Sequence, residues 1–529
     1  MGDGLPLHPG SHHRRRYGRG AAQHHRRAGA RAAAGPCSLN AVFRHGVASG
    51  DPTPDGVVLW TRVSVAAGDT AAVTWTVAND PALADPVESG SASATPEADH
   101  TVHVAVSGLR PAGTYWYGFT AGGERSPVGR TRTLPAPDDP AARLRLGVVS
   151  CAHYATGYFN AYARLAERDV DLVVHLGDYI YEGEARREKW TRFHRPRGRC
   201  LTLPDYRARH GQYKTDPDLQ RLHARHPMVA VWDDHELAGN AWWDGAAGHH
   251  PRDDGDWPHR RAAAVRAYRE WMPSGLPDPG DPCRVWRTVR LGPLADLVLL
   301  DTRLDGRERP VAGRRPVVGI RRRTRRLLSA RQWAWLEQEL AGETGRWTLL
   351  ASQVVVTPIH LLAMGRPLRR LGAVGGGLVV NSGQWDGYPE ERERLLALLG
   401  PRRGRTLVLS GDLHSSWVAE LAAEDGRGTP LAAEFTVPAV SAPTFARALA
   451  PKVKGARSVL ERAIYGANPH IAWVDTAGHG YVLLDITDER IEGQWWHVDR
   501  VGKRTENERL AATWSVVRGD PRPRSGRGY

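Results

Sequence analysis

The chain has 529 residues, 41% hydrophobic and 25% charged, ordinary for a globular protein and too long for one simple core, so two domains are expected. No run approaches the ~18 apolar residues that cross a bilayer, which argues against a membrane span. The formal charge of +14 sits mostly in two blocks: residues 1–35 carry seven arginines against the single acid Asp3, and residues 314–326 carry seven more with no acid. The rest is nearly neutral, so the broad basic face of an obligatory nucleic-acid partner is not legible and both blocks read as solvated surface.

In chain order, residues 1–42 form an Arg/His-rich stretch expected to be disordered. It holds twin arginines, as a Tat-type signal does, but its longest apolar run is Ala32 to Ala34, short of a secretory core. It therefore reads as a degraded or mis-assigned signal. Residues 43–134 alternate short β runs ("GVVLWTRV", "AAVTWTVA", "HTVHVAVSGL", "GTYWYGFTAG") with turns, the pattern of a small antiparallel sandwich of immunoglobulin or fibronectin type. Residues 135–143 are a Pro/Asp linker. From 144 to 500, apolar runs such as "LRLGVVSC", "VDLVVHLGD" and "RTLVLSGDLH" alternate with helix candidates such as "SARQWAWLEQELAG" and "PEERERLLALLG", which argues an α/β domain. The polar tail 501–529 has room for one short helix, over "TENERLAATWSVVRG". The four cysteines, Cys37, Cys151, Cys200 and Cys283, make no disulfide scaffold in so long a chain, and one Cys200–Cys283 bridge is conceivable but unsupported.

In open α/β sheets ligands bind beyond the carboxyl ends of the strands. The residues at those ends are Cys151; Asp178 and Tyr181; Asp233, Asp234, His235 and Glu236; Asp301 and Arg303; and Asp412 and His414. Taken singly, an Asp after a strand reads as a helix cap and a buried Cys as a small hydrophobe. "WDDHE" is harder to dismiss, because three acids and a histidine in four residues repel one another and pay desolvation unless cations neutralise them. Together the thiol, carboxylates, phenol and imidazoles point to a site for two or more metals. Phenolate or thiolate with imidazole suits ferric iron, and carboxylates suit a hard cation.

"GVASGDP…VVLWTRV", "SCAHYATGYFNAYARLA", "HLGDYIYEG", "DYRARHGQYKTDPDLQ", "WDDHELAGN", "LLDTR", "NSGQWDGYPEERERLL" and "LSGDLHSSW", in order over residues 43–498, resemble the PhoD-like alkaline phosphatase family, a branch of the calcineurin-like metallophosphoesterases. The resemblance implies a multidomain fold: an all-β N-terminal sandwich, then a four-layer α/β/β/α metallophosphoesterase domain. It implies hydrolysis of phosphate monoesters and diesters by metal-activated hydroxide attack, at an extracytoplasmic location. It carries over Cys151, Asp178, Tyr181 and His414 as Fe(III) ligands, with Asp178, Asp234 and Asp412 holding Ca2+. His235 takes the catalytic-histidine position. Tyr179, Asp233 and Glu236 are expected to support the fold around the site. Arg303 is a candidate phosphate cation or, alternatively, an anchor to a nearby carboxylate, and Asn240 and His360 are candidate substrate contacts. A C-terminal helix narrowing the site entrance is a further family feature. Two alternatives stand beside this reading: a related enzyme with another metal pair acting on diesters of phospholipid or teichoic acid type, and a non-catalytic surface-binding protein of the same fold. The oligomeric state is not legible.

Overall fold

The structure is a computed structural model. It describes Met1 and residues 42–526, less 67, 140–142, 185–190, 276, 279, 312–324, 343–344, 364–376, 380–381, 424–427 and 450–455. Most of the expected N-terminal segment, part of the linker and most of the 314–326 arginine block therefore lie outside the described residues. Residues Leu39–Tyr529 form one compact unit. No helix among the described residues is long and apolar enough to cross a membrane.

A ten-stranded sheet runs, edge to edge, Asp520–Ser525, Glu508–Val517, Arg490–Val498, His479–Ile486, Leu144–Val149, Leu172–His175, Met228–Ala230, Val47–Gly50, Val57–Arg62, Thr101–Val106. A seven-stranded sheet runs Arg287–Leu291, Ala295–Leu299, Trp347–Ser352, Thr406–Ser410, Pro430–Thr436, Ser416–Ala422, Ile471–Asp475, with the second to fifth strands parallel. Strand periodicity of two explains how the second sheet is covered. Leu297, Leu299, Leu349, Leu407 and Leu409 share a core with Leu146, Val148 and Val174 of the first sheet. Their alternates Val298, Leu350 and Val408 pack with Trp333, Leu336 and Leu395. Those three side chains come from helices Ala330–Ala341 and Pro389–Leu399. The two sheets thus face each other across one apolar layer, as near-continuous hydrophobic parallel strands require.

The N-terminal strands divide between two sheets. Ala71–Ala78, Pro86–Ala94 and Thr114–Ala121, with Glu124–Arg125 and Gly129–Arg132, form a five-stranded sheet of their own. Its Val73, Val77, Tyr117 and Phe119 share a core with Val47, Leu59 and Val104 of the large sheet. Val47–Gly50 lies parallel to Met228–Ala230, with Gly50 opposite Met228. A Cβ at Gly50 would stand 1.9 Å from the Pro273 carbonyl oxygen and 2.6 Å from that of Met228, so only glycine lets these backbones meet.

The tail is a correction. The helix expected over residues 505–519, and with it the C-terminal helix at the site entrance, is replaced by strands Glu508–Val517 and Asp520–Ser525. Val517 pairs with Asp520 across a tight turn in which Gly519 adopts φ 90°. Glu508–Val517 pairs with the whole of Arg490–Val498, and this long open edge with the β-branched and aromatic run "TWSVV" outweighs a weak helical pattern. Cys200 and Cys283 are free, so the conceivable bridge is not formed.

Candidate metal centre

The parallel strands of both sheets end at one place. Cys151 follows Leu144–Val149, Asp178 follows Leu172–His175, Asp233 to Glu236 follow Met228–Ala230, and Asp412 and His414 follow Thr406–Ser410. A bridge between Ser150 and Ala439, with the Val440 N–H on the Ser150 carbonyl at 2.9 Å, joins the two sheets beside Cys151. Cys151, Asp178, Asp412 and His414 all have left-handed backbones, with φ of 59°, 56°, 58° and 53°. Asn240 makes a fifth at 55°. Each such residue costs on the order of 1 kcal/mol or more, and strain of this kind gathers where side chains must be aimed at a fixed point.

Ligand atoms of Cys151, Asp178 and His414 lie within 4.8 Å of one another, as do those of Asp178, Asp234 and His235, and those of Asp233, Asp234 and Asp412. Tyr181 Oη joins the first group, donating to Asp178 Oδ2 at 2.7 Å and lying 3.1 Å from His414 Nε2. His414 Nδ1 is 2.8 Å from the Pro443 carbonyl oxygen, which fixes the ring with Nε2 toward Tyr181. Six of the residues expected to hold metal are therefore brought together: Cys151, Asp178, Tyr181, Asp234, Asp412 and His414.

Several partners hold this cluster. Glu236 accepts the backbone N–H groups of Asp178 at 3.0 Å, Tyr179 at 2.5 Å and Asp233 at 2.8 Å, tying two strand ends together. Tyr179 packs away from the cluster, its hydroxyl 2.8 Å from His223 Nε2. Arg303 pairs with Asp233, and its Nη2 is 3.0 Å from Asp234 and 2.9 Å from Asp412. At 1% exposure it is committed to these carboxylates, which favours the anchor reading over a phosphate contact. Asp301 accepts the Arg303 and Leu304 N–H groups and Trp232 Nε1, so it shapes a turn. Asn240 reaches the site through its backbone N–H, which donates to Asp234 Oδ2. His360 is fixed by Asn468, through bonds to both its N–H and its carbonyl.

Two functional neighbours escaped sequence reasoning. Glu182 Oε2 is 2.7 Å from His235 Nδ1, and Glu182 Oε1 accepts the Gly239 N–H at 2.8 Å. Gln384 donates to Asp412. Glu182 stands one residue past Tyr181 in "YIYEG", where nothing but its place beside a recognised ligand could have flagged it.

The electrostatics describe crowded negative charge that Arg303 and His235 offset only in part. Burial, with Asp178 nearby, pushes the Cys151 thiol well up, and burial likewise raises the Tyr181 phenol. Burial lifts Asp178 to about 7 despite the His235 ring. Burial would lower His235, but the carboxylates of Asp234, Glu182 and Asp178 outweigh it and push the ring well above the usual imidazole range. Asp234 Oδ1 is buried and lies 3.0 Å from Arg303 Nη2, on a guanidinium it shares with Asp233 and Asp412. A thiol, a phenol, an imidazole and carboxylates with too few protein cations fit bound metal.

The comparisons agree in one direction. Residues 146–495 match the model of the PhoD-like phosphatase family, and residues 30–135 match that family's N-terminal domain. Alkaline phosphatase D of Bacillus subtilis (strain 168) is 37% identical over 396 residues, 72% of this chain. That match takes in 65% of the relative's own length. A solved structure described as "Structure of PhoD" superposes with a TM-score of 0.82 at 31% identity, covering 92% of each chain.

Proposed function

The chain belongs to the PhoD-like phosphatase family, and on that premise we propose that it hydrolyses phosphate monoesters and diesters at a mixed Fe(III)/Ca2+ centre. The observation that carries the proposal is the convergence of Cys151, Asp178 and His414 within 4.8 Å, with the Tyr181 hydroxyl in hydrogen-bond reach of the last two. Cys151, Asp178, Tyr181 and His414 would hold iron. Asp178, shared between the groups, would hold calcium with Asp234 and Asp412. When bound, such ions grip phosphoryl oxygens and make a water acidic enough to attack in line.

The chain's own residues supply the rest. His235 is the accessible member, its side chain 25% exposed where those of Asp234 and Glu182 are 4%. Glu182 holds Nδ1 and so leaves Nε2 to meet the substrate, where it can stabilise developing charge or protonate the leaving oxygen. Arg303 keeps three carboxylates from repelling one another, and Asn240 holds Asp234 through its backbone. The facing sheets with helices outside them support the four-layer α/β/β/α reading. The five-stranded sheet packed on the N-terminal strands supports an immunoglobulin or fibronectin-type sandwich. Family resemblance extends the proposal to an extracytoplasmic place of action.

Asp178→Asn should abolish hydrolysis of p-nitrophenyl phosphate, a loss of about 1,000-fold or more for a residue shared by two metals. Retained turnover ends the proposal. The purified protein should contain iron and absorb in the visible, and Tyr181→Phe should bleach that band. A colourless, iron-free and fully active protein removes iron while leaving phosphatase activity standing.

A further inference from the structure

A cleft of about 830 Å³, lined by none of the candidate metal ligands, lies between the N-terminal strands and helix Leu203–Lys214. That volume falls within the range of small-molecule sites. Arg44, Arg62, Arg195 and Arg207 line it, against one acid, Asp99. Two of these arginines are spoken for: Arg62 pairs with Asp99 at 2.9 Å and Arg207 with Glu270 at 2.6 Å. Asp99 also accepts Trp271 Nε1 at 3.2 Å. Arg44 and Arg195 are exposed, and among the described residues neither has a carboxylate partner.

These two cations stand on tied backbone. The Arg195 N–H donates to Gln212 Oε1 at 2.7 Å, and its carbonyl accepts Arg209 Nε at 3.1 Å. The Arg44 carbonyl accepts Gln220 Nε2 at 2.9 Å. On the floor, His45 is only 7% exposed and its Nδ1 has no hydrogen-bond partner among the described residues. Gly211 lies close against the floor: a Cβ there would stand 3.0 Å from Trp271 and 3.6 Å from His45 Nε2, so a side chain at this position would crowd it. Phe193, 60% exposed, stands among the lining residues. Unpaired guanidinium groups on fixed backbone, with an under-used imidazole below and a ring beside them, match an oxyanion on an organic body.

We propose that this cleft is a second binding site, separate from the metal centre, for a phosphoryl dianion, free or esterified. Arg44 and Arg195 neutralise it above the floor formed by His45, Gly211 and Trp271.

The test is calorimetric titration of the full-length protein with inorganic phosphate and with phenylphosphonate, whose carbon–phosphorus bond resists hydrolysis. Wild type should take up one equivalent more than Arg44→Ala/Arg195→Ala, or bind that equivalent at least about tenfold more tightly, as expected for lost charge-assisted bonds. Gly211→Leu, which keeps every arginine and fills the floor, should show the same loss. Hydrolytic activity serves as the folding control for both variants. The tighter of the two probes tells whether the ligand is free or esterified, and either supports the site. No difference between wild type and the arginine variant overturns it, as does undiminished binding in Gly211→Leu. In Asp178→Asn the cleft equivalent should persist, so failure of the phosphatase reading and failure of this one give different results.

Discussion

The metal centre and the arginine-lined cleft each gather charge of one sign, and they handle it in opposite ways. At the centre, Asp178, Asp233 and Asp234 are 1–3% exposed and their charge is met inside the protein, by Arg303 and, on the proposed reading, by bound metal. At the cleft, Arg44 and Arg195 face solvent, which screens them without help. Buried charge is therefore woven into the fold: left-handed backbones aim it, and Glu236 and Gln384 brace it. Exposed charge is hung on the fold and can be removed without disturbing it. Substitution at the centre should cost stability and chemistry together, whereas substitution at the cleft should cost binding alone.

The sharpest way to break this contrast is to delete a guanidinium from the buried side. Arg303→Met leaves Asp233, Asp234 and Asp412 without their common partner. Stability measured by denaturant unfolding should fall by about 3–5 kcal/mol, the usual cost of orphaning a buried charge. A loss under about 1 kcal/mol would mean that the carboxylates are neutralised without Arg303, and the contrast with the cleft would lose its basis.

A smaller effect is expected from Glu182→Gln. Glu182 touches no candidate metal ligand among its hydrogen-bond partners; it holds His235 Nδ1 and the Gly239 N–H, and so acts as a positioning residue. The turnover number should drop about 10–100-fold, the usual effect of losing a partner that orients a site residue. Metal content by elemental analysis and KM should stay near wild type. An unchanged turnover number would detach Glu182 from the chemistry, and a parallel loss of metal would make its role structural.

The centre was far more legible in the sequence than the cleft, for a physical reason. Cys151, Asp178, Asp234, Asp412 and His414 each follow an apolar run, and the end of a parallel strand is where a side chain meets a ligand, so local pattern locates them. Glu182 and Gln384 act through distant partners, with no run ending at them. The cleft joins Arg44, Arg62, Arg195 and Arg207, whose proximity depends on tertiary packing. The same limit applies to the fold. The strands of the α/β part and helix Ala330–Ala341 were readable from periodicity. The pairing of Val47–Gly50 with Met228–Ala230 spans about a third of the chain, so an N-terminal strand in the large sheet is not foreseeable from local pattern. At the tail, Glu508–Val517 owes its strand form to the open edge of Arg490–Val498, and local propensity alone pointed to a helix.

The smallest expected effect tests the exposed side of the contrast. Arg44→Met removes the same group as Arg303→Met, from a position where water already solvates it. Its carbonyl, not its guanidinium, holds Gln220, so the backbone contact survives the substitution. Methionine retains much of the apolar stem, which limits lost packing. Stability should therefore stay within about 0.5 kcal/mol of wild type, the range of surface substitutions away from special features. Phosphonate uptake at the cleft should weaken in the same sample. A stability loss above about 1 kcal/mol would show that Arg44 serves the fold, and the cleft's positive charge would then be structural rather than kept free for an anion.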